Sequence, residues 1–191
     1  EPEETLKIAA AVQAPGCFYV DAPMTRTPKE AEEGRLNVLL GGSDEDVARA
    51  QAIIDAYAEN MYHGGPVSAG HRLKLLHNFV SLGQAVIVAE AMAAAKMGGV
   101  DTGVLTDVLA SGGAGGVALE RLRPYIESGD TSAFKFSVAN AAKDLGYYTA
   151  MAEAMGANHG AADAVRHVLS SALSTGGEES VMPELIDILS R

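Results

Sequence analysis

The sequence predicts a mainly α protein in which a small α/β segment leads into an all-helical bundle. Helix and strand patterns alternate as far as about residue 65. Beyond residue 70 strand patterns nearly vanish, and apolar stretches are separated by glycine-rich links. Between these parts, residues 71–97 contain no proline and one glycine, which predicts a single helix of roughly 40 Å at 1.5 Å per residue.

The elements of the first part are short and differ in type. They are a helix at 3–13, a β-rich run CFYVDAP at 17–23, one or two helical turns at 28–34, a strand in RLNVLLGG at 35–42, and a strand-like segment MYHGG at 61–65. Ser43 is placed to cap a further helix, which we expect to reach about Asn60.

The second part is predicted to contain five helices after the long one. Their ranges are 101–110, 117–127, 135–156, 158–174 and 181–190. The segment GAGGVA at 113–118 matches G-x-G-x-x-A, but it follows a helical pattern and not a strand. We therefore expect a loop between helices, able to line a pocket, and not a dinucleotide cradle.

Composition excludes several classes of function. Fourteen basic against 25 acidic residues give a net charge of −11, which disfavours nucleic acids and anionic membranes as partners. The single cysteine, Cys17, excludes an internal disulfide and fits a cytoplasmic protein. We expect no membrane span, because polar residues interrupt the apolar region 79–97. The sequence starts without methionine on a helical pattern, so we expect a fragment.

Three polar side chains, Lys74, His77 and Asn78, stand at helical spacing within the long apolar helix. They form either a solvated stripe or a site. Because leucines flank it, a half-buried Lys74 is expected to have a lowered pKa, as a group that passes a proton near neutrality requires. This arrangement suits the oxidation of an alcohol, with Asn78 orienting the oxygen.

A second polar cluster, DAPMTRTP, follows the first predicted strand. Its Arg26 offers a fork of donors for a carboxylate, sulfonate or phosphate, and Thr25 and Thr27 add hydroxyls. The alternative is an arginine in an exposed loop. No metal site is expected, because the spacing of the histidines at 63, 71 and 77 matches no ligand motif.

Four motifs in order resemble the β-hydroxyacid dehydrogenases, a family that includes 3-hydroxyisobutyrate dehydrogenase, tartronate semialdehyde reductase and, more distantly, 6-phosphogluconate dehydrogenase. The motifs are DAPMTRTPKEAEEGRLNVLLGG at 21–42, GPVSAGHRLKLLHN at 65–78, Glu90 and Ala91 followed by AKMGGVD, and FSVANAAKDLGYYTAMAEAMG at 136–156. The resemblance covers nearly all of the chain.

The resemblance implies a two-lobe enzyme that uses NAD or NADP. Residues 1–65 would be the last part of a Rossmann lobe, and 66–191 a helical substrate and dimerisation domain joined by the long helix. Lys74 would be the catalytic lysine, and His77 and Asn78 would orient the substrate. Phe136, Lys143 and Asp144 would form the cofactor side of the site. Without a phosphate cradle, this chain alone is expected to bind dinucleotide poorly and to be inactive.

The chain also departs from the family pattern. The family's Ser-Gly-Gly is here Thr25-Arg26-Thr27, and its Arg-Thr pair resembles that of sulfolactaldehyde reductases, where the arginine engages the sulfonate. His77 produces the K-x-x-H-N of 6-phosphogluconate dehydrogenases, but Ser81 replaces their glutamate, so their decarboxylation is not expected. Ser68 replaces a glycine common in the hinge.

The leading hypothesis is therefore hydride transfer between NAD(P) and a small 3-hydroxyacid or its semialdehyde. The alternatives are a helical dimerisation or binding module without catalysis, a sulfolactaldehyde-type reductase, and an imine reductase, whose relatives usually lack the lysine. The apolar surface of the long helix predicts a homodimer or homotetramer.

Overall fold

The computed structural model describes residues 2–13 and 17–191. The chain divides into two compact units, Glu1–His77 and Asn78–Arg191, and the division falls inside one long helix, α4 (Ala69–Gly98). The predicted boundary at 65/66 precedes that helix and stays a prediction.

The first unit contains a three-stranded sheet with short helices. Before α4 its elements are α1 (Pro2–Gln13), β1 (Met24–Thr25), α2 (Pro28–Glu32), β2 (Leu36–Leu40), α3 (Asp44–Ile54) and β3 (Ala58–His63). The strand order is β1-β2-β3, with β1 antiparallel and β3 parallel to β2. Leu36, Val38 and Leu40 of β2 pack with Ile54 in a buried core, which confirms the strand predicted at 35–42.

Two predicted elements of this unit are wrong in extent. Residues 17–20 form no strand; Asp21 makes an isolated bridge to Gly41, and β1 is only Met24–Thr25. Pro23 separates the two because it has no N–H to donate to the ladder. The helix expected to reach Asn60 ends at Ile54, since the following residues pair with β2 as β3, and this pairing overrides local helix propensity.

The second unit is helical, as predicted. After α4 it contains α5 (Thr102–Ser111), α6 (Val117–Ser128), α7 (Val138–Ala154), α8 (Gly160–Gly176) and α9 (Leu185–Leu189), with 3-10 turns at Ser132–Phe134 and Met182–Glu184. Helices α7 and α8 pack together through buried residues such as Leu145 and Leu169. The helix predicted at 135–156 begins later, at Val138, because Ser137 caps it by accepting the Asn140 N–H at 3.2 Å.

Helix α4 has the length and apolar composition of a membrane span. We expected its polar residues to exclude a span, and by length and composition they do not. However, 56% of its most apolar window is buried inside the protein. The buried core helices of soluble proteins can be equally long and apolar.

Candidate active site

The first unit builds its polar cluster where residues 21–27, here called the substrate loop, meet the start of α4. The Asp21 carboxylate is buried and accepts three hydrogen bonds. They come from the backbone N–H groups of Ser68 (2.6 Å) and His71 (2.8 Å) and from the His71 ring Nδ1 (3.1 Å). Because a carboxylate only accepts, Nδ1 carries the proton. Asp21 therefore caps the long helix from outside it.

The electrostatics of Asp21 follow from this position. Burial would raise the pKa of its carboxyl, but the hydrogen bonds from His71 and Ser68 outweigh burial and hold the pKa below its ordinary value. The positive end of the α4 dipole also favours an anion here.

Two glycines permit this close approach of the helix to the strand. A Cβ on Gly41 would lie 2.3 Å from an Asp21 carboxylate oxygen, and one on Gly70 would lie 2.5 Å from the Leu39 carbonyl oxygen. Neither position can carry a side chain without moving α4 away from the sheet.

Lys74 lies one turn further along α4 and contacts the same loop. Its Nζ donates to the Met24 carbonyl at 2.6 Å, so the predicted catalytic lysine lies next to Thr25 in the predicted substrate loop. Lys74 is half-buried; Leu75 beside it is buried, whereas Leu76 is 44% exposed. The expected apolar wall thus covers part of the lysine's surroundings, and its lowered pKa stays a prediction.

Two residues in this region have left-handed backbone where the family pattern has glycine. Arg26 has φ 85° and Ser68 has φ 83°, and within 2–13 and 17–191 they are the only non-glycine residues with positive φ. A side chain in this conformation is strained, so both substitutions retain the glycine geometry at a cost.

The Arg26 guanidinium is engaged within the first unit. Its Nη1 donates to the Arg35 carbonyl and pairs with the Glu59 carboxylate of β3. Thr25 is buried in β1. The hydroxyl and backbone N–H of Thr27 both donate to Glu30, which together lower the pKa of Glu30 to about 2. This geometry makes Thr27 the cap of α2, and its predicted substrate contact stays a prediction.

The second unit positions its polar groups on α4 and α7. The Asn78 Nδ2 donates to Asp144 at 2.8 Å, and Asn78 is buried. Since a carboxylate only accepts, this bond fixes which end of the amide faces Asp144. Phe79 stacks on Tyr148 with ring centroids 4.4 Å apart, which holds the two helices in register. His77, the last residue of the first unit, is exposed on α4.

The predicted cofactor residues lie at or near α7. The Lys143 side chain is 52% exposed, with Nζ 3.5 Å from an Asp144 oxygen and 6.0 Å from the Tyr147 ring centroid. Phe136 is half-buried, and its carbonyl accepts the Met182 N–H at 2.9 Å. An exposed cation near one aromatic ring could contact an anionic, aromatic ligand such as a dinucleotide.

The part of the chain that the structure describes contains no glycine-rich phosphate cradle between a strand and a helix. Gly41 and Gly42 join β2 to α3, but three acidic residues at 44–46 fill the first turn, where a phosphate would be repelled. The loop Gly113–Gly116 joins α5 to α6, as predicted, and lines a cavity of about 240 Å³ with Gln84 and Ile87. The glycine link after β2 is therefore poorly suited to a pyrophosphate, and the cofactor contacts of Phe136, Lys143 and Asp144 stay predictions.

Sequence reasoning missed Asp21, His71 and Glu59. Asp21 opens the D-A-P motif, and only its position in that motif marked it. In the sequence, His71 is one of three histidines whose spacing matches no metal-ligand motif, and no pattern links it to Asp21. Nothing in the sequence indicates Glu59, because its contact depends on how β3 pairs with β2.

Two family models match different ranges of the chain. Residues 1–65 match the NAD binding domain of 6-phosphogluconate dehydrogenase, and residues 68–189 match the NAD-binding domain of NADP-dependent 3-hydroxyisobutyrate dehydrogenase. The fold and these matches place the chain in a class of proteins related to NAD- and NADP-dependent dehydrogenases. The chain belongs to the β-hydroxyacid dehydrogenase family, as its motifs predict.

Relatives support this assignment. A 3-hydroxyisobutyrate dehydrogenase from Pseudomonas aeruginosa is 30% identical over 82% of this chain and 55% of its own. A 3-sulfolactaldehyde reductase from Escherichia coli is 32% identical over 92% of this chain and 59% of its own. The crystal structure of a Salmonella typhimurium 3-hydroxyisobutyrate dehydrogenase matches with a TM-score of 0.83 at 26% identity, over 98% of this chain and 66% of its own. The chain spans about half the length of the curated relatives it matches.

Proposed function

We propose that this protein transfers hydride reversibly between NAD or NADP and a small 3-hydroxyacid or its semialdehyde. The observation that supports this most is the bond from the Lys74 Nζ to the Met24 carbonyl, because it brings the amine to the substrate loop. Family membership supports the reaction class.

In the proposed mechanism, Lys74 accepts the hydroxyl proton during oxidation and returns it during reduction. A bound NAD or NADP supplies the hydride acceptor or donor. Met24 orients the Lys74 amine through its carbonyl, and Asp21 fixes the start of the helix that carries it. Asn78 orients the reacting oxygen, assisted by His77, and Asp144 keeps the Asn78 amide in one orientation.

The proposed substrate has a strongly anionic tail. Thr25 and Arg26 bind this tail. The guanidinium of Arg26 offers a fork of donors that suits a sulfonate, phosphate or carboxylate. The similarity to the 3-sulfolactaldehyde reductase, at 32% identity, favours a sulfonate among the three.

The proposal extends to the cofactor side and to assembly. Phe136 and Lys143 border the nicotinamide, and the domains divide at 65/66 as the motifs suggest.

The proposed assembly is a homodimer or homotetramer, located in the cytoplasm. The assembly is proposed because exposed apolar residues of α4, such as Val80 and Ile87, offer a surface for a second copy. If the proposed oligomer is wrong, light scattering at low micromolar concentration would measure the mass of a monomer.

Cofactor absorbance measured with the protein expressed from its full reading frame tests the function. We expect turnover of a hydroxyacid, with a higher kcat/KM for a sulfonate tail than for phosphate or carboxylate tails of matched length. Replacement of Arg26 by Gly should erase that preference, whereas Lys29→Ala, at an exposed lysine of α2, should leave it intact. Absence of hydride transfer from every hydroxyacid and to every aldehyde in the series would refute the proposal.

A further inference from the structure

The Arg26 side chain is held by one of its three nitrogens. Both of its side-chain hydrogen bonds, to the Arg35 carbonyl and the Glu59 carboxylate, start from Nη1. Nη1 carries two hydrogens, so these two acceptors use both. The side chain is 26% exposed and that of Glu59 is 42% exposed, so the pair lies at the surface of the first unit.

Glu59 reaches Arg26 because β3 contains an irregularity at that residue. Leu36 of β2 pairs with Ala58, whereas Asn37 pairs with Asn60, so Glu59 is the extra residue of a β-bulge. Bulges are rare in parallel pairs, and they redirect a side chain and are frequent next to active sites.

Bonds on both sides of the bulge fix its position. The Leu36 N–H donates to the Tyr57 carbonyl at 3.1 Å before it, and the Asn60 Nδ2 donates to Asn37 Oδ1 at 3.0 Å after it. Glu59 is therefore presented by anchored backbone, and not by a loose loop.

The other edge of the guanidinium consists of Nε and Nη2. No residue in 2–13 or 17–191 accepts a hydrogen bond from these two nitrogens, and Arg26 as a residue is exposed in the first unit. An arginine binds an oxyanion bidentately through two neighbouring nitrogens, and Nε with Nη2 is such a pair.

We propose that Glu59 is a positioning residue for substrate specificity, which holds the Nη1 side of Arg26 so that its Nε–Nη2 edge is presented to an anionic substrate tail. This rests on the proposed function, and it names a residue outside the four family motifs. Two irregularities, the left-handed Arg26 and the bulge at Glu59, converge on one ion pair, which is unusual for an incidental surface contact.

The test compares Glu59→Ala, Glu59→Gln and Glu32→Ala in the full-length protein. Glu32→Ala removes an equal charge from α2, at an exposed side chain that does not contact Arg26. The first readout is the dissociation constant of 2-hydroxyethanesulfonate, followed by NMR at the Arg26 Nε–H. The second is KM and kcat for a sulfonate-tailed hydroxyacid.

We expect Glu59→Ala to raise the dissociation constant and KM up to about fivefold, the range of a well-placed surface ion pair, with kcat little changed. Glu59→Gln keeps an acceptor oxygen and should restore most of the loss, and Glu32→Ala should resemble the wild type. In an Arg26→Gly background, Glu59→Ala should have no further effect.

The outcomes separate this inference from the proposed function. Anion binding that depends on Glu59 in a protein without hydride transfer would refute the function and support the positioning role. Hydride transfer with a dissociation constant and KM that are unchanged or lower in Glu59→Ala would overturn the positioning role and leave the function. A protein that neither binds the sulfonate nor turns over would overturn both.

Discussion

The two compact units hold their polar groups by different means. In the first unit, backbone irregularities place them: left-handed Arg26 and Ser68, close-packed Gly41 and Gly70, and the bulge at Glu59. In the second unit, Asn78 and Asp144 project from regular helices and meet at 2.8 Å. Substitutions in the first unit should therefore change stability and backbone together, whereas those in the second should change side-chain geometry alone.

The largest effect on stability is expected at Asp21. Asp21→Ala leaves the backbone N–H groups of Ser68 and His71 without their acceptor and removes the ion pair with the His71 ring, and should lower the free energy of unfolding by about 3–5 kcal/mol. Urea denaturation measures this. The control Asp44→Ala removes a carboxylate that is 99% exposed and should cost less than about 1 kcal/mol. Equal losses in the two variants would contradict the capping role of Asp21.

Acid should weaken the same contact. Because the pKa of Asp21 is lower in the folded state, its stabilisation is fully present above the unfolded pKa of about 3.9 and is lost as pH falls through the folded pKa. The free energy of unfolding should thus drop more steeply below about pH 4 in the wild type than in Asp21→Asn. Urea titrations at several pH values measure this free energy. If it falls equally with pH in the wild type and in Asp21→Asn, another carboxyl causes the loss of stability in acid.

In the second unit, Asp144→Ala should act on catalysis more than on stability. The Asn78 amide loses the bond that sets its orientation, and a misplaced polar group lowers kcat/KM by about 10- to 100-fold. Asp144→Asn keeps an acceptor oxygen and should lose less. Steady-state kinetics and urea denaturation of the same variants check this. An Asp144→Ala variant that loses stability but keeps the wild-type kcat/KM per folded molecule would contradict the prediction.

The smallest effect is expected at Ser68, which is buried and donates to the Pro2 carbonyl at 3.1 Å. Ser68→Gly relieves about 1 kcal/mol of left-handed strain and loses a hydrogen bond of similar value, so stability should change by less than about 0.5 kcal/mol. Ser68→Ala keeps the strain and loses the bond, and should cost about 1 kcal/mol. A larger loss for Gly than for Ala would reverse this interpretation.

The same contrast explains what sequence could predict. The helices of the second unit follow from apolar periodicity and glycine links, and the Asn78 and Lys74 positions follow from motif resemblance. The strands of the first unit are less predictable from the sequence. Pro23 interrupts the strand pairing of the substrate loop, and β3 forms through pairing with β2, which overrides the local helical pattern after Ile54. The left-handed backbone of Arg26 was foreseeable from the family's glycine, whereas the Glu59 contact required the bulge.

Lys74 tests the central claim most directly. We predict that Lys74→Ala lowers the single-turnover rate of hydride transfer by about 10²- to 10⁴-fold, the contribution of a positioned acid–base group, while folding and cofactor affinity are retained. Added methylamine should restore the rate in proportion to its concentration, since a free amine can then carry the proton. A Lys74→Ala enzyme that transfers hydride at nearly the wild-type rate without amine would contradict the assignment.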